Sequence, residues 1–122
     1  VSGRVRRGDA RGRSLGYPTL NIDPPSPRKL LPPEGVYAVR TQTPAGTFGG
    51  MMNLGPRPTF GDPVRALEVH LFDADVDLYD AYVRVEFARR LRDTRAFSGP
   101  AELVAQLGRD ADQARRALTE LG

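Results

Sequence analysis

Two short stretches hold side chains that could do chemistry together. In "GRSLGYPTLN", residues 12–21, Thr19 and Asn21 follow Pro18 at a spacing of two. The residue before a proline avoids the helical region, so the segment reads as extended. Residues two apart in an extended segment point to the same side. The Thr19 hydroxyl and the Asn21 amide oxygen would then converge. Both are neutral hard oxygen donors, a pair that suits Mg2+, which keeps several waters and completes its shell with substrate phosphates. The glycine-rich loop ahead of them can turn backbone N–H groups toward anions, and Arg13 can add charge. The competing reading is a turn closed by local hydrogen bonds from Thr19 and Asn21.

The second stretch is "RALEVHLF". It alternates, with Leu67, Val69 and Leu71 on one face and Glu68, His70 and Phe72 on the other. A carboxylate fixed on a strand that borders a cleft can take a proton from an alcohol as it attacks phosphorus. Against this stands a solvent-facing Glu68 paired with an arginine of the next strand. His70 shares the Glu68 face, where it could tune the carboxylate, bind phosphate or simply pack. Tyr79 and Phe97 could stack on a planar ligand or fill the core. Arg92 and Arg95 flank a strand-to-helix junction and face either a ligand or solvent.

Several classes are excluded. No G-x-x-x-x-G-K-[ST] motif and no protein-kinase signature set occurs. Asp73, Asp75 and Asp77 have the spacing that opens a calcium loop, but the sixth-position glycine and twelfth-position glutamate are missing. There are no cysteines and only one histidine, which argues against disulfides and structural zinc. No apolar run approaches a membrane span, and no signal-peptide pattern opens the chain, so a soluble cytoplasmic domain is expected.

The 122 residues carry a net charge of +3, and all 18 basic residues except Lys29 are arginine. Many gather in "GRVRRGDARGRS". Arginine forks match phosphate oxygens, although a general arginine bias would look the same. Stacking aromatics are not interleaved there, so nucleic acid is not an expected partner.

These groups need a scaffold. Gly (13) and Pro (11) punctuate the chain throughout, which favours short strands and turns. Strands are expected in "VSGRVRR", "YPTLNID", "VYAVRTQ", "TFGGMMNLG", "RALEVHLF" and "YVRVEFARRL". The proline-rich "PPSPRKLLPPEG" reads as a loop across one domain, residues 1–122. Val104, Leu107, Ala111, Ala114, Leu118 and Leu121 recur at helical spacing, with Ser98 or Gly99 as N-cap and Pro100 in the first turn. Five or six short strands followed by one helix favour a closed antiparallel barrel with a terminal helix, since closure removes open edges. An open sheet with one covering helix is the alternative.

Taken in order, "GRVRRGDARGRSLGYPTLNI", "LPPEGVYAV", "NLGPRPTF", "LEVHLFDADVDLYD" and "FARRLRDTRAFSGPAELVAQLGRDADQAR" resemble the riboflavin kinase (flavokinase) family. The resemblance spans nearly the whole chain and includes the kinase half of bacterial bifunctional FMN/FAD synthetases. It implies a closed six-stranded antiparallel Greek-key barrel with a C-terminal helix, and transfer of the ATP γ-phosphate to the 5′-hydroxyl of riboflavin, giving FMN and ADP. It implies Mg2+ and phosphate at Thr19 and Asn21, and Glu68 as the catalytic carboxylate. It implies nucleotide contacts at Gly8, Arg13, Leu71, Asp73 and Tyr79, and flavin contacts at Arg92, Arg95 and Phe97. The abrupt start inside the first strand suggests a module excised from an enzyme that also carries an FMN adenylyltransferase domain. The chain departs from the family at Asp80, where the family has glycine after Leu-Tyr, and at Leu20, where alanine is commoner. A non-catalytic barrel that binds flavin or oligonucleotides is the alternative function.

Overall fold

The computed structural model describes residues 1–6, 19–23, 32–57, 64–74 and 76–122. They form strands β1 (Ser2–Arg6), β2 (Leu20–Asp23), β3 (Gly35–Thr43), β4 (Gly46–Arg57), β5 (Val64–Leu71) and β6 (Tyr82–Arg92), then helix α1 (Pro100–Glu120). Every neighbouring pair is antiparallel. The sheet closes in the order β1-β2-β5-β4-β3-β6, so the barrel expected from the strand pattern is the fold observed.

Alternation explains why the barrel has an inside. Val5, Ile22, Tyr37, Val39, Met52, Leu54, Leu67, Val69, Val83 and Val85 are buried in one cluster within it. Phe87 meets Tyr37 edge-on at 5.2 Å, completing the inward run of β6. The outer faces of β3 and β4 carry a second apolar patch, Ala38 and Met51, which Ala114 and Ala117 of α1 cover together with Phe72. Small residues let the helix lie close. A side chain at Gly49 would begin 2.8 Å from Leu118 Cδ1. The helix C-terminal end is tied down where Arg40 donates to the Leu118 carbonyl at 2.9 Å and Arg89 pairs with Glu120 at 2.7 Å.

The helix presents a different face from the one its apolar residues mark. Leu107, Ala111, Ala114 and Leu118 do pack inward, but Val104 and Leu121 are exposed. Two polar residues, Gln106 and Asp110, are buried in their place, with Asp110 only 1% exposed. Arg92 explains this: its Nε and Nη2 donate to the two Asp110 carboxylate oxygens at 2.8 and 2.7 Å. Gln106 donates to the same carboxylate at 2.8 Å. A charge this deep is tolerated because its lone pairs are filled.

Arg92 faces the helix although β6 is irregular. Its register against β3 shifts twice, between Ala38 and Val39 and between Val36 and Tyr37, the second shift leaving Leu91 as the extra residue. One extra residue reverses the alternation beyond it, and a second restores it. Arg92 therefore lies opposite Val36 on the outer face, and Leu91 also packs toward α1.

Gly99 is the N-cap and Pro100 follows it, as the sequence suggested. Gly99 has no side chain to cap with, and Ser98 instead donates its hydroxyl to Glu102 in the first turn. At the opposite end of the barrel, Asp80 adopts φ +66, the left-handed region. Its N–H donates to Val5 at 2.8 Å, which locks the turn before β6 against β1. The family's usual glycine would adopt that φ without strain.

Two stability outcomes follow. Asp110→Ala strands the Arg92 guanidinium and is expected to cost about 3 kcal/mol, at the lower end for a broken buried pair; urea unfolding measures it, and a cost under 1 kcal/mol would contradict the clamp. Asp80→Val is expected to destabilise by about 1–2 kcal/mol through its positive φ, with Asp80→Gly close to neutral in the same assay.

Candidate active site

Register decides which outward side chains meet. In β2 and β5, Asn21 lies directly opposite Glu68. On its other flank Asn21 lies opposite Arg6 of β1. Glu68 in turn lies opposite Asn53 of β4, Asn53 opposite Val36 of β3, and Val36 opposite Arg92 of β6. One row thus crosses all six strands on the outer wall: Arg6, Asn21, Glu68, Asn53, Val36, Arg92. Directly opposed side chains sit about 5 Å apart at Cβ, so an amide and a carboxylate at Asn21 and Glu68 can reach one small ligand group.

The two stretches singled out in the sequence are therefore neighbours. Thr19 immediately precedes β2 and by alternation shares the Asn21 side. Thr19, Asn21 and Glu68 are each half-buried, which leaves them accessible while restricting their freedom. His70 is one step along the same face of β5, opposite Met51, and meets the Phe72 ring edge-on at 5.8 Å.

Arg92, Arg95 and Phe97 form a second group. The Arg95 guanidinium lies 4.8 Å from the Phe97 ring centre, and that of Arg92 lies 5.9 Å from it. Arg95 also pairs with Glu102. Hydrogen bonds from Ser98 and Arg95 hold the Glu102 carboxyl below the usual carboxylate range. The Arg92 donors go to Asp110 and, from Nη1, to the Asp93 carbonyl at 2.9 Å. Arg92 consequently fixes the α1 wall of this group as well as lining it.

The remaining predicted residues are more scattered. Leu71 is half-buried against the interior cluster. Asp73, at φ +56, accepts from Arg115 of α1 at 3.0 Å, and that hydrogen bond lowers its pKa. Arg115 is itself stacked 4.3 Å from the Phe72 ring centre. Tyr79 is exposed, in the turn that Asp80 anchors to β1, with its N–H donating to Asp77 at 3.0 Å. That anchor sets the turn beside the β1 end of the polar row. Gly8 and Arg13 lie outside the described residues, as does Asp75.

Sequence reasoning missed Asn53, Gln106 and Asp110. Asn53 had a faint signal: it is a polar residue in the apolar strand "GGMMNLG", a poor strand former whose place needs a reason. Gln106 and Asp110, four apart on a helix, could be read as a polar seam only once Arg92 was known to lie beneath them.

The donors at Thr19 and Asn21 fit Mg2+ in kind. They are uncharged, oxygen-bearing and partly sheltered, and so leave most of the coordination shell to phosphates and water. Among the described residues no cluster of three or more His, Cys, Asp or Glu side chains could hold a metal by itself.

Comparisons with known proteins agree with this geometry. A sequence model of the riboflavin kinase family, "Flavokinase", matches residues 1–118. The bifunctional riboflavin kinase/FMN adenylyltransferase of Bacillus subtilis is 36% identical over 124 residues, covering 99% of this chain and 39% of that protein. The enzyme of the same name from Escherichia coli is 40% identical over 119 residues, covering 94% of this chain and 36% of that protein. The chain thus spans under two-fifths of the curated relatives it matches. A crystal structure titled as a macrolide-efflux protein from Streptococcus pneumoniae superposes with a TM-score of 0.87 at 35% identity, covering 93% of this chain and 37% of that one. With the barrel, the ordered motifs and the family match all in accord, this chain belongs to the riboflavin kinase family.

Proposed function

We propose that the chain transfers the γ-phosphoryl group of ATP to the ribityl 5′-hydroxyl of riboflavin, yielding FMN and ADP. The observation that carries this reading is the direct opposition of Asn21 and Glu68 on adjacent strands. That opposition supports a reading in which Asn21 acts on the phosphate side and Glu68 as the carboxylate base of an in-line displacement.

Thr19 and Asn21 bind the nucleotide phosphates, with Mg2+ supplying charge neutralisation when it is bound. Gly8 and Arg13, which lie outside the described residues, are assigned to the nucleotide together with Leu71, Asp73 and Tyr79. The flavin ring is held at the Phe97 end, with Arg92 and Arg95. Its side chain then runs along the row toward Glu68. Glu68 orients the 5′-hydroxyl and accepts its proton as the oxygen–phosphorus bond forms. The bond from the γ-phosphorus to the β,γ-bridging oxygen breaks, and ADP leaves with that oxygen. The barrel wall contributes position: a carboxylate fixed mid-strand wastes little entropy in reaching the attack geometry. Names of the relatives also support a covalent partner, an FMN adenylyltransferase domain in the protein to which this chain belongs.

The direct assay is incubation with riboflavin, ATP and Mg2+ followed by chromatography for FMN; formation of FMN separates a kinase from a module that only binds. Glu68→Gln is expected to keep riboflavin affinity and lose turnover by about a hundredfold or more, the scale of general-base catalysis. Unchanged turnover would remove Glu68 from that role. Thr19→Ala is expected to weaken Mg·ATP binding more than riboflavin binding in isothermal titration, and equal losses would contradict its phosphate-side placement.

A further inference from the structure

Asn53 has no part in the machinery described so far. It stands in the polar row one strand beyond Glu68, on the side toward Val36 and Arg92. The outward residues of β4 run Gly49, Met51, Asn53; α1 packs on the first two and leaves Asn53 exposed. Its amide makes no hydrogen bond to any described residue. It also lies close to the segment that carries the flavin-end group. A Cβ on Gly55 would be 3.5 Å from Asn53 Nδ2 and 3.8 Å from Thr94 Cγ2. Asn53 therefore sits between Glu68 and the Thr94–Phe97 segment.

On the riboflavin kinase reading, the acceptor must cross this stretch. Neighbouring strands are about 4.8 Å apart, so Glu68 and Arg92 are separated by roughly 14 Å of wall. A ring held at Phe97 and a terminal hydroxyl at Glu68 leave the intervening polyol chain above β4. We infer that Asn53 hydrogen-bonds a secondary hydroxyl of that chain and so selects acceptors with a hydroxylated side chain. A primary amide can both donate and accept, which matches an alcohol that does the same. An asparagine contributes little to a strand, and this one bonds to no described residue that would justify its place. A ligand hydroxyl supplies the missing partner. Asn53 is thus a specificity residue on the acceptor side, distinct from the proton-accepting carboxylate beside it.

The test pairs two ligands. Riboflavin carries the polyol, and lumiflavin has the same ring with a methyl group in its place. Binding of each to the wild-type chain and to Asn53→Ala is measured by flavin fluorescence, and FMN formation by the wild type is measured alongside. Asn53→Ala is expected to weaken riboflavin about tenfold, the upper range for one neutral hydrogen bond, and to leave lumiflavin unchanged. Asn53→Ser, which keeps a hydroxyl, is expected to recover part of the loss. Mg·ATP affinity should not move. Equal losses for both flavins, or no loss for either, would overturn the Asn53 assignment while leaving the kinase reading intact if the wild type still forms FMN. A wild type that neither binds riboflavin nor forms FMN would overturn both.

Discussion

The pairing of β2 with β5 is the constraint on which the site rests. Asn21 and Glu68 are separated by nearly fifty positions in the chain, and only the antiparallel register brings them opposite one another. The interior enforces that register. Leu20, Ile22, Leu67 and Val69 alternate with Asn21 and Glu68 and pack inside the barrel. A slip of one residue would turn those apolar side chains outward and the amide and carboxylate inward. The hydrophobic effect therefore selects the geometry of the polar row.

A similar division of labour operates at the proposed flavin end. The two register shifts of β6 leave Arg92 on the outer face, and the two Asp110 oxygens hold one edge of its guanidinium. A fully paired ion pair at this depth adds specificity more than net stability, because desolvation offsets much of its attraction. What it specifies is the seat of α1 on the barrel. The seat in turn sets the wall beside Phe97 and Arg95. The closed barrel has no free edge, so both halves of the site are built on a rigid frame.

Strand positions were legible in the sequence because period-two alternation is strong in "RALEVHLF" and "YVRVEFARRL". The closed barrel was legible from the turn spacing, and Asp80 from its place where a glycine belongs; the structure shows the positive φ that makes glycine usual there. Register was not legible. Nothing local to Asn21 or Glu68 says that β2 skips β3 and β4 to pair with β5. The helix face was half legible: its alanines and leucines gave the period, but Asp110 and Gln106 read as solvent-facing until Arg92 was seen beneath them. Asn53 was hidden for the converse reason, since its neighbours read simply as strand.

On the proposed reading, the phosphate-side donors and the base act on one reacting phosphorus. A crystal structure of the chain with Mg·ADP and FMN tests it most directly. The account expects the FMN phosphate between Asn21 and Glu68, with the ester oxygen within about 3 Å of the Glu68 carboxylate, a hydrogen-bond distance, and the metal on the Thr19 and Asn21 oxygens. An FMN phosphate seated away from the β2–β5 pair, or a metal held without Thr19 and Asn21, would contradict it.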